Sequence, residues 1–368
     1  TITIRESFLN AAKFVGRQRE LHLLTNALEA GNRSSWLVGG EAGVGKSRLL
    51  EEVRIAALVN GLTVVRGQAV EGGGLPYQLL RSVLPMLILG CDLSPLEAGV
   101  ILPLVPEIAR LLEREVERVP ELDPKEAGER LKHIILDLFR RQNKPMLLVL
   151  EDIHWAEDTL HILEALINVQ TNFPLVTIAT YRSDDAPHLP KRLNAMRIIP
   201  LERLVAAEVE TLSASMLEKT GRDPQLINFL LKQTEGNAFF IVDILQTLAD
   251  YAGRLDAIGL LTLPESLLSK GVLAIAERRL ERIPETHHVN IRLAAVIGRE
   301  IDLELVQFAT GGANQDWIDH GLEGAILEAS EGRLRFSHDR IREGILHYTD
   351  AVLLRELHER AAHAIEMI

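Results

Sequence analysis

The sequence predicts an α/β domain built on a parallel sheet, followed by further, largely helical domains. Three observations predict it. The runs SSWLV (34–38), MLLVLED (146–152) and PLVTIATYR (174–182) are short and apolar, as strands covered on both faces must be. Segments of helical periodicity separate them, which is the rhythm of a parallel sheet with crossover helices. After Pro200 that rhythm stops and helical patterns take over, so the 368-residue chain is multidomain.

The elements follow in order. Residues 14–30, FVGRQRELHLLTNALEA, place apolar residues at helical spacing after Gly16. The strand 34–38 runs into a glycine-rich stretch and then the helix SRLLEEVRIAALVN, which Gly61 ends as a C-cap glycine does. LTVVRGQAV (62–70) reads as a second strand. Between 71 and 120, prolines at 76, 85, 95, 103, 106 and 120 keep the helices short. Residues 124–143 form an amphipathic helix, and Pro145 precedes the strongest strand. Residues 204–250 read as helix interrupted by TGRDP and EGN, with more helices from Leu263 to Phe308. ILEASEGRLRF (326–336) has two short runs about Glu331-Gly332, a hairpin beside helices, which is a winged-helix pattern. Residues 339–368 are helical again. The expected domains are 1–202, 203–262, 263–350 and 351–368.

Composition narrows the function. Hydrophobic residues are 47 % of the chain and aromatics only 4 %, so the core is aliphatic and the chain is not disordered. No uncharged apolar run approaches the roughly 18–20 residues of a membrane span. A single cysteine, Cys91, excludes an internal disulfide and fits a reducing, cytoplasmic setting. The net charge of −12 opposes general nucleic-acid binding, which needs basic surface. A start at Thr1 and a helical pattern running to the last residue predict a fragment of a longer protein.

GEAGVGKS (40–47) matches G-x-x-x-x-G-K-[ST], a pattern that arises by chance in such a chain with odds on the order of one in a hundred. With a strand before it and a helix after it, this is a phosphate-binding P-loop. Gly40, Gly43 and Gly45 let backbone N–H groups point at phosphate oxygens, Lys46 reaches the β- and γ-phosphates, and Ser47 holds Mg²⁺. Val44 and Arg48 complete the candidate nucleotide-binding run. About 105 residues on, LLVLED sets Glu151 and Asp152 at a strand end. One carboxylate serves Mg²⁺ through water and the other orients the attacking water; which does which stays open. Arg182 closes a third buried strand at the same sheet edge, where a γ-phosphate lies, and an Arg there adds a charge-assisted contact to the terminal group.

In this order, FVGRQREL, GEAGVGKSRLL, VLEDIHWAED, TYR, EGNAFF and FSHD resemble the STAND class of signal-transduction ATPases, from Phe14 to His363. The likeness is to a bacterial branch found in large LuxR-type activators, adenylate-cyclase proteins and multidomain Ser/Thr kinases. It implies a P-loop NTPase domain, a helical lid, a winged helix and the start of a helical-repeat region. It makes Phe14, Val15 and Arg17 adenine neighbours, Gly40 to Ser47 Walker A, Glu151 and Asp152 Walker B, and Arg182 the sensor arginine. The family's lid proline is Ala238 here. His338 falls where related proteins have a winged-helix histidine on the β-phosphate of ADP. His154 and Trp155 either touch the phosphate side or pack.

The function implied is an ATP/ADP switch with slow, regulatory ATP hydrolysis. It has a closed ADP form locked by His338 and an ATP form that self-associates. Its effector and sensor domains lie outside this fragment, and the fragment itself contacts neither membrane nor nucleic acid. The rival is an origin-recognition-type AAA+ ATPase that binds DNA. Against it stand the −12 charge, TYR where an Asn is typical, and the HWAED segment. A small-molecule kinase would need an acceptor pocket that no motif marks.

Overall fold

Five parallel strands in mutual register decide the architecture of Gly16–Arg203, the first of two compact units. The computed structural model of the chain describes residues 13–29, 33–69, 75–120, 122–169, 173–252, 273–298, 301–312, 316–324, 326–330, 333–337 and 339–367. The strands are β1 (Ser34–Gly40), β2 (Thr63–Gln68), β3 (Met146–Glu151), β4 (Leu175–Arg182) and β5 (Arg197–Pro200). They lie in the order β2-β3-β4-β1-β5. Every residue of β1 and β3 is buried, and all of β4 except Arg182, as their continuous apolar sequences require.

β4 therefore lies between the strand that leads into the glycine loop and the strand that carries the acids. Register fixes what meets at its end: Gly40 is opposite Arg182, and Leu150 is opposite Ala179. β5 is an edge strand that the sequence reading does not contain. Its four residues RIIP are mostly exposed, so they lack the apolar signal of a buried strand.

The helices cover the sheet by ordinary amphipathic logic. Lys46–Val59 buries Leu49, Leu50, Val53 and Ala57, a stripe of i, i+1, i+4 and i+8 spacing. Pro124–Arg140 begins at an Asp123 cap whose carboxylate accepts from the Lys125 and Glu126 N–H groups at 3.0 and 3.2 Å. It buries Leu131, Ile134, Ile135 and Leu138, each worth about 1.5–3 kcal/mol of burial. Pro85 does not end a helix: it lies inside Gln78–Ile88. Only one i→i−4 bond is lost there, and burial of Leu79, Val83, Leu84, Leu87 and Ile88 holds the remaining turns. No described helix is long and apolar enough to cross a membrane.

The second unit comprises Leu204–Ile368 with the segment that ends at Val15. Its helices Ala206–Leu217, Pro224–Thr234 and Ala238–Ala252 match the reading of 204–250. Asn237 of the EGNAFF motif is buried, and its side-chain oxygen accepts from the Phe239 N–H at 3.2 Å, starting the last of these helices. A buried ion pair, Arg279 with Asp243, joins Leu273–Glu281 to that helix. The hairpin is present as β6 (Leu327–Ser330) and β7 (Arg333–Phe336), antiparallel, with Leu327 opposite Phe336 and both side chains buried. Helices Asp339–His347 and Ala351–Met367 close the unit.

Candidate functional site

β1 ends at Gly40, and the chain turns over itself before the helix that begins at Lys46. Two glycines make this turn possible. Gly45, which caps the helix, has φ +103°, a conformation that side chains rarely adopt, and a Cβ there would meet nothing within 4 Å. A Cβ on Gly40 would instead approach the Leu201 carbonyl oxygen to 2.7 Å. Gly43 sits at the bend, and Val44 is buried beneath it. The loop thus has a packed underside at Val44 and open space beside Gly45.

Lys46 folds back into this loop. Its Nζ donates to the carbonyl oxygens of Gly40 and Glu41, both at 2.8 Å, with the residue only 8 % exposed. Burial pulls its pKa down to about 8, partly offset by the pull of Asp152, Asp184 and Asp185. Glu41 is held from the other side by Arg203, whose guanidinium donates at 2.7 and 2.9 Å.

The acids separate. Glu151 is buried, accepts from the Ser47 hydroxyl, and is paired with Arg66 Nε of the neighbouring β2 at 2.6 Å. Burial pushes its pKa up, against Arg66 and Ser47. Asp152 is in the left-handed region at φ 54°, and its N–H donates to Thr180 Oγ1 of β4 at 3.0 Å. That turn sends the next residues, Ile153–Trp155, into a short helical turn against the end of β4. Arg182 NH1 lies 3.6 Å from Asp185 Oδ2, and the Ser183 N–H donates to the Gly40 carbonyl at 3.4 Å. His154 is drawn into the same group: its Nε2 is 3.7 Å from Asp185 Oδ2, and burial lowers its pKa to about 4.

Gly40, Gly43, Val44, Gly45, Lys46, Ser47, Glu151, Asp152 and Arg182 are therefore gathered at the C-terminal edge of one sheet. Arg48 is not directed to the loop; it is half exposed and pairs with Glu52 one turn on, at 2.8 Å. Arg17 is buried and donates to the carbonyls of Glu202 and of Val44, so it braces the underside of the loop. Phe14 and Val15 fall with the second unit, where Val15 packs on the core. His338 lies outside the described residues. Sequence reasoning missed Arg66, Arg203 and Asp185. An arginine inside the otherwise apolar run TVVRGQ is the one signal that marks any of them.

The donor set fits a nucleotide phosphate. A buried amine is held by two carbonyls of its own glycine loop, and a carboxylate sits on the Ser47 hydroxyl, which is a Mg²⁺-type pair. Residues 13–178 match the family described as AAA ATPase domain. An uncharacterized protein of Rhizobium meliloti (strain 1021) is 26 % identical over 394 residues, covering 95 % of this chain and 37 % of its own length. Among solved structures, a Signal Transduction ATPase with Numerous Domains (STAND) protein with a tetratricopeptide repeat sensor, from Pyrococcus horikoshii, aligns with a TM-score of 0.53 at 15 % identity. That alignment covers 96 % of this chain and 45 % of that one. The ORC1 protein of Aeropyrum pernix, in complex with DNA, aligns with a TM-score of 0.48 at 14 % identity over 97 % and 95 % of the two chains. The chain thus spans 37 % of the curated relative and 45 % of the STAND protein. Residues 13–178 thus resemble the AAA ATPase domain, and the likeness to the Pyrococcus horikoshii protein is one of fold.

Proposed function

We propose that this chain is the ATP/ADP switch module of a larger signalling or transcription-regulatory protein, with hydrolysis slow and regulatory. The observation that carries the reading is the contact of Glu151 with the Ser47 hydroxyl, beside a lysine buried in its own loop. Mg²⁺–ATP, when bound, supplies a cleavable terminal phosphoryl group. Lys46 exchanges the Gly40 and Glu41 carbonyls for β- and γ-phosphate oxygens. Glu151 is the carboxylate for Mg²⁺, acting with Ser47. Asp152 is left to orient the attacking water, and Arg182 reads the terminal phosphate.

We keep 203–262 as the lid, 263–350 as a winged helix and 351–368 as the start of a repeat region. The ADP form is closed and held by His338; the ATP form self-associates through parts of the full protein. Two nucleotides shift such an equilibrium only by binding its two states differently. Titration calorimetry tests the core of the reading. Lys46→Ala should lose ATP and ADP binding together, because the loop loses its only lysine on the phosphates. Unchanged affinity would remove the P-loop from the function. His338→Ala should speed the release of a fluorescent ADP, and an unchanged off-rate would end the lock.

A further inference from the structure

The turn after β3 buries a group that the roles above leave unused. The His154 side chain is 2 % exposed, and neither ring nitrogen has a hydrogen-bond partner among the described residues. Asp185 Oδ2 stops at 3.7 Å from Nε2, beyond hydrogen-bond distance. One face of the ring lies on Trp155, with centroids 4.7 Å apart and planes tilted by 42°. Two unmade hydrogen bonds on one buried ring are costly, and native interiors rarely tolerate them. A purely packed position would be better filled by Leu or Phe.

The surroundings say what would complete the ring. The charged groups that face it are Asp152, Arg182, Asp185 and Lys46. Arg182 is opposite Gly40 across the sheet, and its NH1 is 3.6 Å from the same Asp185 oxygen that faces His154. A neutral imidazole has one N–H to donate and one nitrogen to accept. Among cations that hold phosphates, its missing partner is an anionic oxygen at the far end of the phosphate chain.

We propose that His154 is a recognition residue for the terminal phosphate, donating a hydrogen bond to a γ-phosphate oxygen of bound triphosphate and finding no such acceptor on the diphosphate. The inference rests on the nucleotide-switch reading and adds to it a second triphosphate sensor, carried by β3 rather than β4. It divides the HW pair: Trp155 packs and His154 recognises. Asp185, 3.7 Å from His154 and 3.6 Å from Arg182, then sets a negative charge beside both residues.

The test is titration of the full chain with ADP and with a non-hydrolysable β,γ-imido ATP analogue, each with Mg²⁺. His154→Phe should weaken the analogue by about 10- to 150-fold, the range for one hydrogen bond to a charged group, and change ADP by less than about twofold. His154→Gln keeps a donor and should recover part of the loss. In the unmutated protein, the ring ¹⁵N resonances of His154 should shift with the analogue and not with ADP, which a packing role would not produce. Equal loss of both ligands, no loss of either, or identical ¹⁵N shifts would overturn the proposal while leaving the switch reading in place. If the parent binds neither nucleotide, both fall. Should His154→Phe fail to fold, the resonances of the parent decide.

Discussion

Above about pH 8, a nucleotide that reaches Lys46 must bring a proton with it. Burial holds the nucleotide-free amine at a pKa of about 8, against an ordinary value of 10.5. At about pH 8.5 the amine is then charged about a quarter of the time. Phosphate oxygens in place of neutral carbonyls favour the ammonium form. Restoring the ordinary value fills the site almost completely, so binding takes up about 0.75 proton at about pH 8.5 and about 0.25 at about pH 7.5. Calorimetry of ADP binding in buffers of different protonation enthalpy reads this number as a slope. Lys46→Arg, which keeps a permanent charge, should flatten it. A slope that is the same at both pH values, or that Lys46→Arg leaves intact, would refute the desolvated-lysine argument. The same shift has a stability consequence whose sign is fixed. The folded state binds fewer protons than the unfolded chain between about pH 8 and about pH 10.5, so the nucleotide-free protein gains up to about 3 kcal/mol across that window as pH rises.

Three further outcomes are expected. Glu151→Gln combined with Asp152→Asn should keep nucleotide bound and suppress turnover, measured as phosphate release; parental turnover would mean the carboxylates are misassigned. Arg182→Ala should weaken a triphosphate analogue more than ADP, because the expected contact is to the terminal group alone; equal losses in calorimetry would place it elsewhere. Gly40→Ala drives a Cβ to 2.7 Å from the Leu201 carbonyl and should cost about 1–3 kcal/mol, lowering the melting temperature by several degrees; an unchanged melt would show that the backbone at Leu201 yields freely.

The parts that were legible are those that depend on local pattern. β1, β3 and β4 announce themselves as unbroken apolar runs, and the glycine loop by its spacing. What was hidden depends on distant pairing. Nothing local says that β4 lies between β1 and β3, yet that order sets Arg182 opposite Gly40. Arg66 reaches Glu151 only because β2 and β3 align in register, placing Gln68 opposite Glu151. Arg17 reads as a neighbour of adenine by position, and no local pattern announces that its guanidinium donates to the carbonyls of Val44 and Glu202. Glu151 and Asp152 were indistinguishable as adjacent letters. The left-handed turn at Asp152 sends them to different partners, Ser47 for one and the end of β4 for the other.

The middle position of β4 works as a ruler. A strand bonded along both edges and covered on both faces cannot slide without turning every side chain to the wrong face. Two strand spacings, roughly 10 Å, therefore separate the start of the phosphate loop from the acids, with the arginine between them. The span is set by backbone hydrogen bonds and not by any side chain in the site. Any rearrangement at this edge is thus left to rotamers and to the loops that follow the strands. A library that randomises the residues of the loops leaves that span in place, whereas one that touches Thr177, Ile178 or Ala179 erases the scale on which it is drawn.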